Sequence, residues 1–203
     1  MTPLRGLYAI TDATLLAGRL LLAVEAALQG GATIVQYRDK SGDRICRHAE
    51  ATALLELCRR YDIPLLINDD VELAAAIGAD GVHLGRSDAA LASARRRLGP
   101  DAIIGATCHG SLEFAGEAAA QGANYVAFGA VYPSATKPGA ARAPLEILQQ
   151  ARRFGLSVVA IGGISPDNAA PVIAAGADCI AVISDLWQAR DIAARARAFA
   201  TLF

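Results

Sequence analysis

Eight short apolar runs recur along a chain of 203 residues, each parted from the next by a stretch of helix length. They are Leu7–Ile10, Thr33–Val35, Leu65–Ile67, Gly81–Leu84, Ile103–Gly105, Tyr125–Phe128, Val158–Ile161 and Cys179–Ile183. Each is rich in the branched residues that suit parallel strands buried under helices on both faces. Four of them follow a recurring phrase: Gly31-Ala32-Thr33, Gly78-Ala79-Asp80, Gly122-Ala123-Asn124 and Gly176-Ala177-Asp178. Each phrase closes an alanine-rich helical pattern, where glycine accepts positive φ without penalty and the polar residue turns the chain. The phrase marks every second run, so a βαβα unit recurs. Four such units predict one α/β domain over residues 1–203, a compact (β/α)8 TIM barrel with its active site at the C-terminal ends of the strands.

Composition agrees: 54% hydrophobic and 19% charged residues suit strands covered on both sides. A net charge of −1 gives no electrostatic reason to expect nucleic acid as a partner. The cations Arg95-Arg96-Arg97 read as the solvated end of a helix. No apolar stretch reaches the roughly twenty residues that span a bilayer, and the amino terminus opens on a strand pattern instead of a signal peptide. A cytoplasmic location without membrane association is therefore expected. Cys46, Cys58, Cys108 and Cys179 lack metal-finger or redox spacing and read as reduced, structural thiols.

The chemistry lies just after the runs. The second leads into Gln36-Tyr37-Arg38-Asp39-Lys40, and a period of two puts Gln36, Arg38 and Lys40 on one side of an extended segment. An amide and two cations so placed suit a polyanion, the guanidinium forking onto phosphate oxygens and the ammonium acting as a mobile point charge. The third run ends at Asn68-Asp69-Asp70, and the segment after the fourth reaches Asp88. Either carboxylate alone reads as a helix N-cap; together, beside the cations, they resemble a Mg²⁺ site completed by phosphate oxygens.

The fifth run leads into Thr107-Cys108-His109, the sixth into Tyr132-Pro133-Ser134-Ala135-Thr136-Lys137-Pro138-Gly139. The latter reads as a phosphate-gripping loop, with two hydroxyls and a lysine between prolines and a glycine. His83 and His109 read as packing or hydrogen-bonding residues before bases. After the seventh run comes Gly162-Gly163-Ile164-Ser165-Pro166, and the eighth run reaches Ile183-Ser184. Barrel enzymes bind phosphate there on bare backbone amides. Ser165 is expected to be an N-cap with Pro166 at the first helical position. Spacing thus reaches two phosphate sites, and an enzyme joining two phosphorylated substrates.

The order of these motifs resembles the thiamine-phosphate synthase family over nearly the whole chain: Tyr8-Ala9-Ile10-Thr11, Gln36-Tyr37-Arg38-Asp39-Lys40, Ile67-Asn68-Asp69, His83-Leu84-Gly85 with Asp88, Phe128-Gly129, Thr136-Lys137-Pro138, Ile161-Gly162-Gly163-Ile164 and Ile183-Ser184. The resemblance implies a transferase of thiamine biosynthesis. It would couple a hydroxymethylpyrimidine diphosphate with a thiazole phosphate, with or without a carboxylate on the thiazole, to give thiamine phosphate and pyrophosphate. It implies that Arg38, Lys40, Asn68 and Lys137 hold the diphosphate, that Asp69 and Asp88 hold Mg²⁺, and that Gln36 serves the pyrimidine pocket. Tyr37, Asp39 and Thr107 belong to the same substrate-binding set. Ser134, Ala135 and Thr136, with the amides around Gly163, Ile183 and Ser184, serve the thiazole phosphate. Arg38, Lys40 and Lys137 are the catalytic cations.

Thr107 stands where the family usually carries serine, keeping the hydroxyl and adding a methyl. The sister thiazole tautomerases lack the Asn-Asp pair and the acid at Asp88, and carry histidine where this chain has Ala130. A tautomerase-like enzyme and a non-catalytic thiazole or thiamine phosphate-binding regulator are the alternatives, and a homo-oligomer is compatible with the sequence.

Overall fold

A computed structural model describes residues 4–85, 91–133 and 142–203. Its strands are β1 (Gly6–Ile10), β2 (Ala32–Tyr37), β3 (Leu65–Asn68), β4 (Gly81–Leu84), β5 (Ile103–His109), β6 (Tyr125–Phe128), β7 (Ser157–Ile161) and β8 (Cys179–Val182). All pair in parallel with their sequence neighbours, and β8 pairs with β1 to close the barrel. The helices α1 (Leu20–Gln29), α2 (Arg44–Arg60), α3 (Val71–Ile77), α4 (Leu91–Leu98), α5 (Leu112–Ala120), α6 (Glu146–Ala151), α7 (Ala169–Ala174), α8 (Ser184–Trp187) and α9 (Ile192–Ala200) follow the strands around the outside. Among the described residues, no helix is long and apolar enough to cross a membrane.

Strand alternation divides the core in two. Leu7, Ala9, Val35, Leu65, Ile67, Val82, Val126 and Val158 pack outward against the helices. Tyr8, Ile10, Ile34, Leu66, Tyr125, Ala127, Val159, Cys179 and Ala181 fill the barrel itself.

The repeated phrase builds the amino-terminal face. Its glycines all take positive φ, 98° at Gly31, 70° at Gly78, 85° at Gly122 and 107° at Gly176. The polar residue two places on then latches onto the preceding strand of the same βαβα unit. Asp80 accepts the Leu65 amide at 2.8 Å, Asn124 the Ile104 amide at 2.8 Å, and Asp178 the Val158 amide at 2.8 Å. Thr33 instead donates to the Arg5 carbonyl at 2.8 Å. Each latch satisfies a backbone group at the start of a strand.

Three expectations change. The strands β2 and β5 run beyond their apolar runs, because the polar residues that follow, Gln36 and Thr107, face the barrel interior. Arg95 is an anchor and not simply a solvated charge: its guanidinium donates to the carbonyls of Gly99, Pro100, Ala102 and Gly122 and to Asn124 Oδ1. Ser165 is not the cap of α7. The Asn168 amide donates to the Ser165 carbonyl at 3.2 Å, and Asn168 Oδ1 accepts from the Ser165 amide at 2.9 Å. This closed turn holds Ser165 and Pro166 before the helix, which starts at Ala169.

Candidate active site

Parallel strands bring every strand's C-terminal end to one mouth, where the polar residues of the runs collect. Gln36 lies inside, 1% exposed, and its Nε2 donates to the Tyr8 hydroxyl at 2.6 Å. Beyond it the chain leaves β2, and Arg38 is held at both ends. Its amide donates to Thr11 Oγ1 at 2.8 Å, and its guanidinium stands 3.6 Å from Asp12. Lys40 is exposed. The two residues between them turn elsewhere. Tyr37 packs outward, its hydroxyl donating to Glu50 at 2.7 Å, and Asp39 accepts from the amide and hydroxyl of Ser41. Their side chains do not join Gln36 and Arg38.

At the end of β3 two neighbouring carboxylates take different work. Asp70 caps α3, accepting the Leu73 amide at 2.9 Å, and pairs with Arg47 at 3.0 Å. Asp69 caps nothing. It sits at φ 64°, a left-handed conformation that costs a non-glycine residue on the order of 1 kcal/mol or more. There its carboxylate accepts from Asn68 Nδ2 at 2.6 Å and from the Gly85 amide at 3.3 Å.

Inside the barrel a chain of hydrogen bonds runs from Gln36 to Tyr8, from Tyr8 to Tyr125 at 2.7 Å, from Tyr125 to His83 Nδ1 at 2.8 Å, and from His83 Nε2 to Thr107 Oγ1 at 2.8 Å. Burial pushes the Tyr8 and Tyr125 phenols well above their ordinary range, so both stay protonated. Cys108 faces the helices and is buried, its thiol pushed up to about 12 by desolvation, which makes it inert.

Across the mouth, Gly162 and Gly163 take φ of 104° and 66°. A Cβ on Gly163 would meet the Pro133 carbonyl and Tyr132, so only glycine lets this turn lie against the segment leaving β6. Ile183 follows β8 and Ser184 opens α8. Asp88, Ser134, Ala135, Thr136 and Lys137 lie outside the described residues.

The described donor set suits Mg²⁺ as a partner of bound phosphate. Among the described residues no group of three or more His, Cys, Asp or Glu converges. Asp69 presents one carboxylate at the mouth, and Mg²⁺ takes one or two carboxylates with substrate phosphate oxygens and water. Thr11, Asp12, Tyr8 and Tyr125 were not legible as site residues. Beyond the place of Tyr8 and Thr11 in the motif Tyr8-Ala9-Ile10-Thr11, their sequence signal is placement in or just after an apolar run, since their partners are remote in the chain.

A closed barrel with cations, a carboxylate and a glycine turn gathered at its carboxyl end defines a (β/α)8-barrel enzyme suited to phosphorylated small molecules. The family model described as thiamine monophosphate synthase matches residues 7–186. The chain belongs to that family. It is 55% identical over 203 residues to the thiamine-phosphate synthase of Methylobacillus flagellatus, covering 100% of this chain and 97% of that one. It is 56% identical over 198 residues to the thiamine-phosphate synthase of Chromobacterium violaceum, covering 98% and 96%. Among solved structures, the thiamine phosphate pyrophosphorylase from Pyrococcus furiosus superposes with a TM-score of 0.88 at 37% identity, over 97% of this chain and 94% of that one.

Proposed function

We propose that this chain is a thiamine-phosphate synthase, coupling 4-amino-5-hydroxymethyl-2-methylpyrimidine diphosphate with a hydroxyethylthiazole phosphate, with or without a carboxylate on the thiazole. The products are thiamine phosphate and pyrophosphate. The observation that carries the reading is Asp69, a carboxylate released from capping and held left-handed at the barrel mouth of a chain in this family.

Arg38, Lys40, Asn68 and Lys137 bind the diphosphate, and Asp69 with Asp88 would hold Mg²⁺. When bound, Mg²⁺ supplies charge that offsets the negative charge gathering on the departing pyrophosphate. Arg38 does the same from a fixed position, because Thr11 and Asp12 hold its backbone and its guanidinium. The methylene C–O bond breaks with its electron pair leaving on pyrophosphate, and the electron-rich aminopyrimidine carries the cationic methylene. The thiazole nitrogen lone pair then forms the new C–N bond. No proton has to move, so the site needs no strong base. Gln36 orients the pyrimidine, Thr107 serves the diphosphate, and the amides around Gly163, Ile183 and Ser184, with Ser134, Ala135 and Thr136, hold the thiazole phosphate. Positioning the two partners supplies much of the remaining rate.

A single domain over residues 1–203 and a cytoplasmic location fit this reading. Four free cysteines are compatible with that location. The partners are the two phosphorylated small molecules, without nucleic acid or membrane, and a homo-oligomer is compatible with the reading.

Pyrophosphate release is measured with both substrates and Mg²⁺, against omission of each, with mass detection of thiamine phosphate. Product dependent on all three supports the synthase; a folded chain that binds the thiazole phosphate and makes none overturns it.

A further inference from the structure

The hydrogen bonds inside the barrel have a direction. Gln36 Nε2 can only donate, so the Tyr8 oxygen accepts from it, and the buried Tyr8 proton has the Tyr125 oxygen as its acceptor, since an unmet proton there would cost a hydrogen bond. The Tyr125 proton then goes to His83 Nδ1, which must be unprotonated to accept it. The imidazole proton is left on Nε2 and is donated to Thr107 Oγ1. Thr107 accepts from below, and its own proton is turned away from His83. In this arrangement the imidazole carries one proton and each member of the chain is neutral.

The packing that holds this path is built into three strands. Gly105 is the cross-strand partner of both His83 and Tyr125. A Cβ there would overlap the Tyr125 ring. Without one, the His83 and Tyr125 rings stack at 5.6 Å between centroids and 19° between planes. Tyr8 meets Tyr125 edge-on at 5.9 Å and 81°. Rotation of either ring would break the path.

We infer that Tyr8, Tyr125 and His83 are positioning residues, a one-way hydrogen-bond relay through the barrel that commits the Thr107 hydroxyl to donate to an anionic substrate group. The inference rests on the placing of the diphosphate beside Thr107 proposed above. Donors in series polarise one another, so the last hydroxyl donates more strongly than an isolated threonine. A neutral imidazole also sets no fixed positive charge beneath the methylene that becomes cationic. The same relay holds Gln36 by its amide nitrogen, which leaves its carbonyl oxygen as the acceptor offered to the pyrimidine.

Two measurements test it. The chain has three histidines, and His48 and His109 are exposed. Nitrogen-15 NMR of histidine-labelled protein, assigned with His48→Gln and His109→Gln, reads the His83 tautomer directly and needs no turnover. The expected result is a proton on Nε2 and a bare Nδ1 at neutral pH, giving way to mixed tautomers in Tyr125→Phe. A proton on Nδ1, or an imidazolium, overturns the relay whatever the enzyme does.

The second is a double-mutant cycle in kcat. Tyr125→Phe should lower kcat about fivefold with Thr107 or Thr107→Ser present, the scale of one hydrogen bond, and less than about twofold with Thr107→Val. The KM for the thiazole phosphate should not move. Equal losses in both backgrounds overturn the inference, since Tyr125 would then act independently of Thr107. Absent turnover in the wild type would instead sink the synthase reading and leave the NMR result to judge the relay.

Discussion

Asp69 and Asp70 are neighbours whose carboxylates answer to different structures: Asp70 reaches forward to the Leu73 amide and across to Arg47, whereas Asp69 folds back to Asn68 and Gly85. One φ angle of 64° separates the two tasks. Substitution should therefore divide stability from activity at consecutive positions.

Asp70→Ala removes a helix cap and leaves the half-buried Arg47 without its partner, and should cost about 1 to 3 kcal/mol of stability. Its kcat should stay within about twofold of the wild type, a change below the scale of one lost hydrogen bond. Asp69→Asn should do the opposite, raising the Mg²⁺ concentration for half-maximal rate about tenfold or more with little change in urea midpoint. Metal titrations and urea melts on the pair decide it; an unchanged Mg²⁺ requirement in Asp69→Asn would remove the residue from the metal site.

Lys137 is expected to grip the diphosphate as a point charge. Lys137→Ala should lower kcat by about tenfold to a hundredfold, the loss of one or two charge-assisted contacts in the transition state, while the thermal midpoint holds. Full turnover in the variant would take Lys137 out of the site.

Gly163→Ala adds a Cβ where the Pro133 carbonyl and Tyr132 already lie, at a φ of 66°. The turn must shift, and with it the amides proposed for the thiazole phosphate. KM for that substrate should rise about tenfold, with the pyrimidine diphosphate KM nearly unchanged, because a backbone displacement there removes ground-state binding. Equal effects on both substrates would refute the division of the mouth into two phosphate sites.

Alkali should destabilise the fold. Burial raises the thiols of Cys58, Cys108 and Cys179 from the ordinary 9.0 to about 12. A folded-state value above the unfolded one means stability is fully present below pH 9 and is lost as pH rises through the window from about 9 to about 12. At pH 10 each thiol should cost about 1.4 kcal/mol relative to neutral pH, read as a lower urea midpoint. A triple Cys→Ala variant should lose less between the two pH values, and an equal loss would discount the thiols.

The barrel was legible because its signals are local. A glycine at positive φ, an alanine and a polar residue mark the end of a helix and the start of a strand wherever they occur, and all four sites carry the predicted conformation. What the polar residue of each phrase does was not legible, since Asp80, Asn124 and Asp178 latch to amides 15 to 20 positions away. The same distinction runs through the site. Gln36, Arg38 and Asn68-Asp69 stood out as polar groups after apolar runs, but nothing local assigned capping to Asp70 and not to Asp69. Nor did anything local pair Tyr8 with Tyr125, which lie 117 positions apart. Their place in the motif groups Tyr37 and Asp39 with Gln36 and Arg38, but strand alternation and a turn at Ser41 send their side chains elsewhere.

The four latches each fasten a βαβα unit to itself, through its own first strand. Residues at opposite ends of the described chain also meet, Arg5 donating to the Phe203 carbonyl at 3.1 Å with its guanidinium over that ring. The molecule is thus a ring of four self-fastened quarters, and where the ring is opened should matter less than whether a quarter is cut. A circular permutant joined near residues 5 and 203 and opened between Asp62 and Pro64, or between Pro100 and Ala102, would keep every latch within an unbroken quarter.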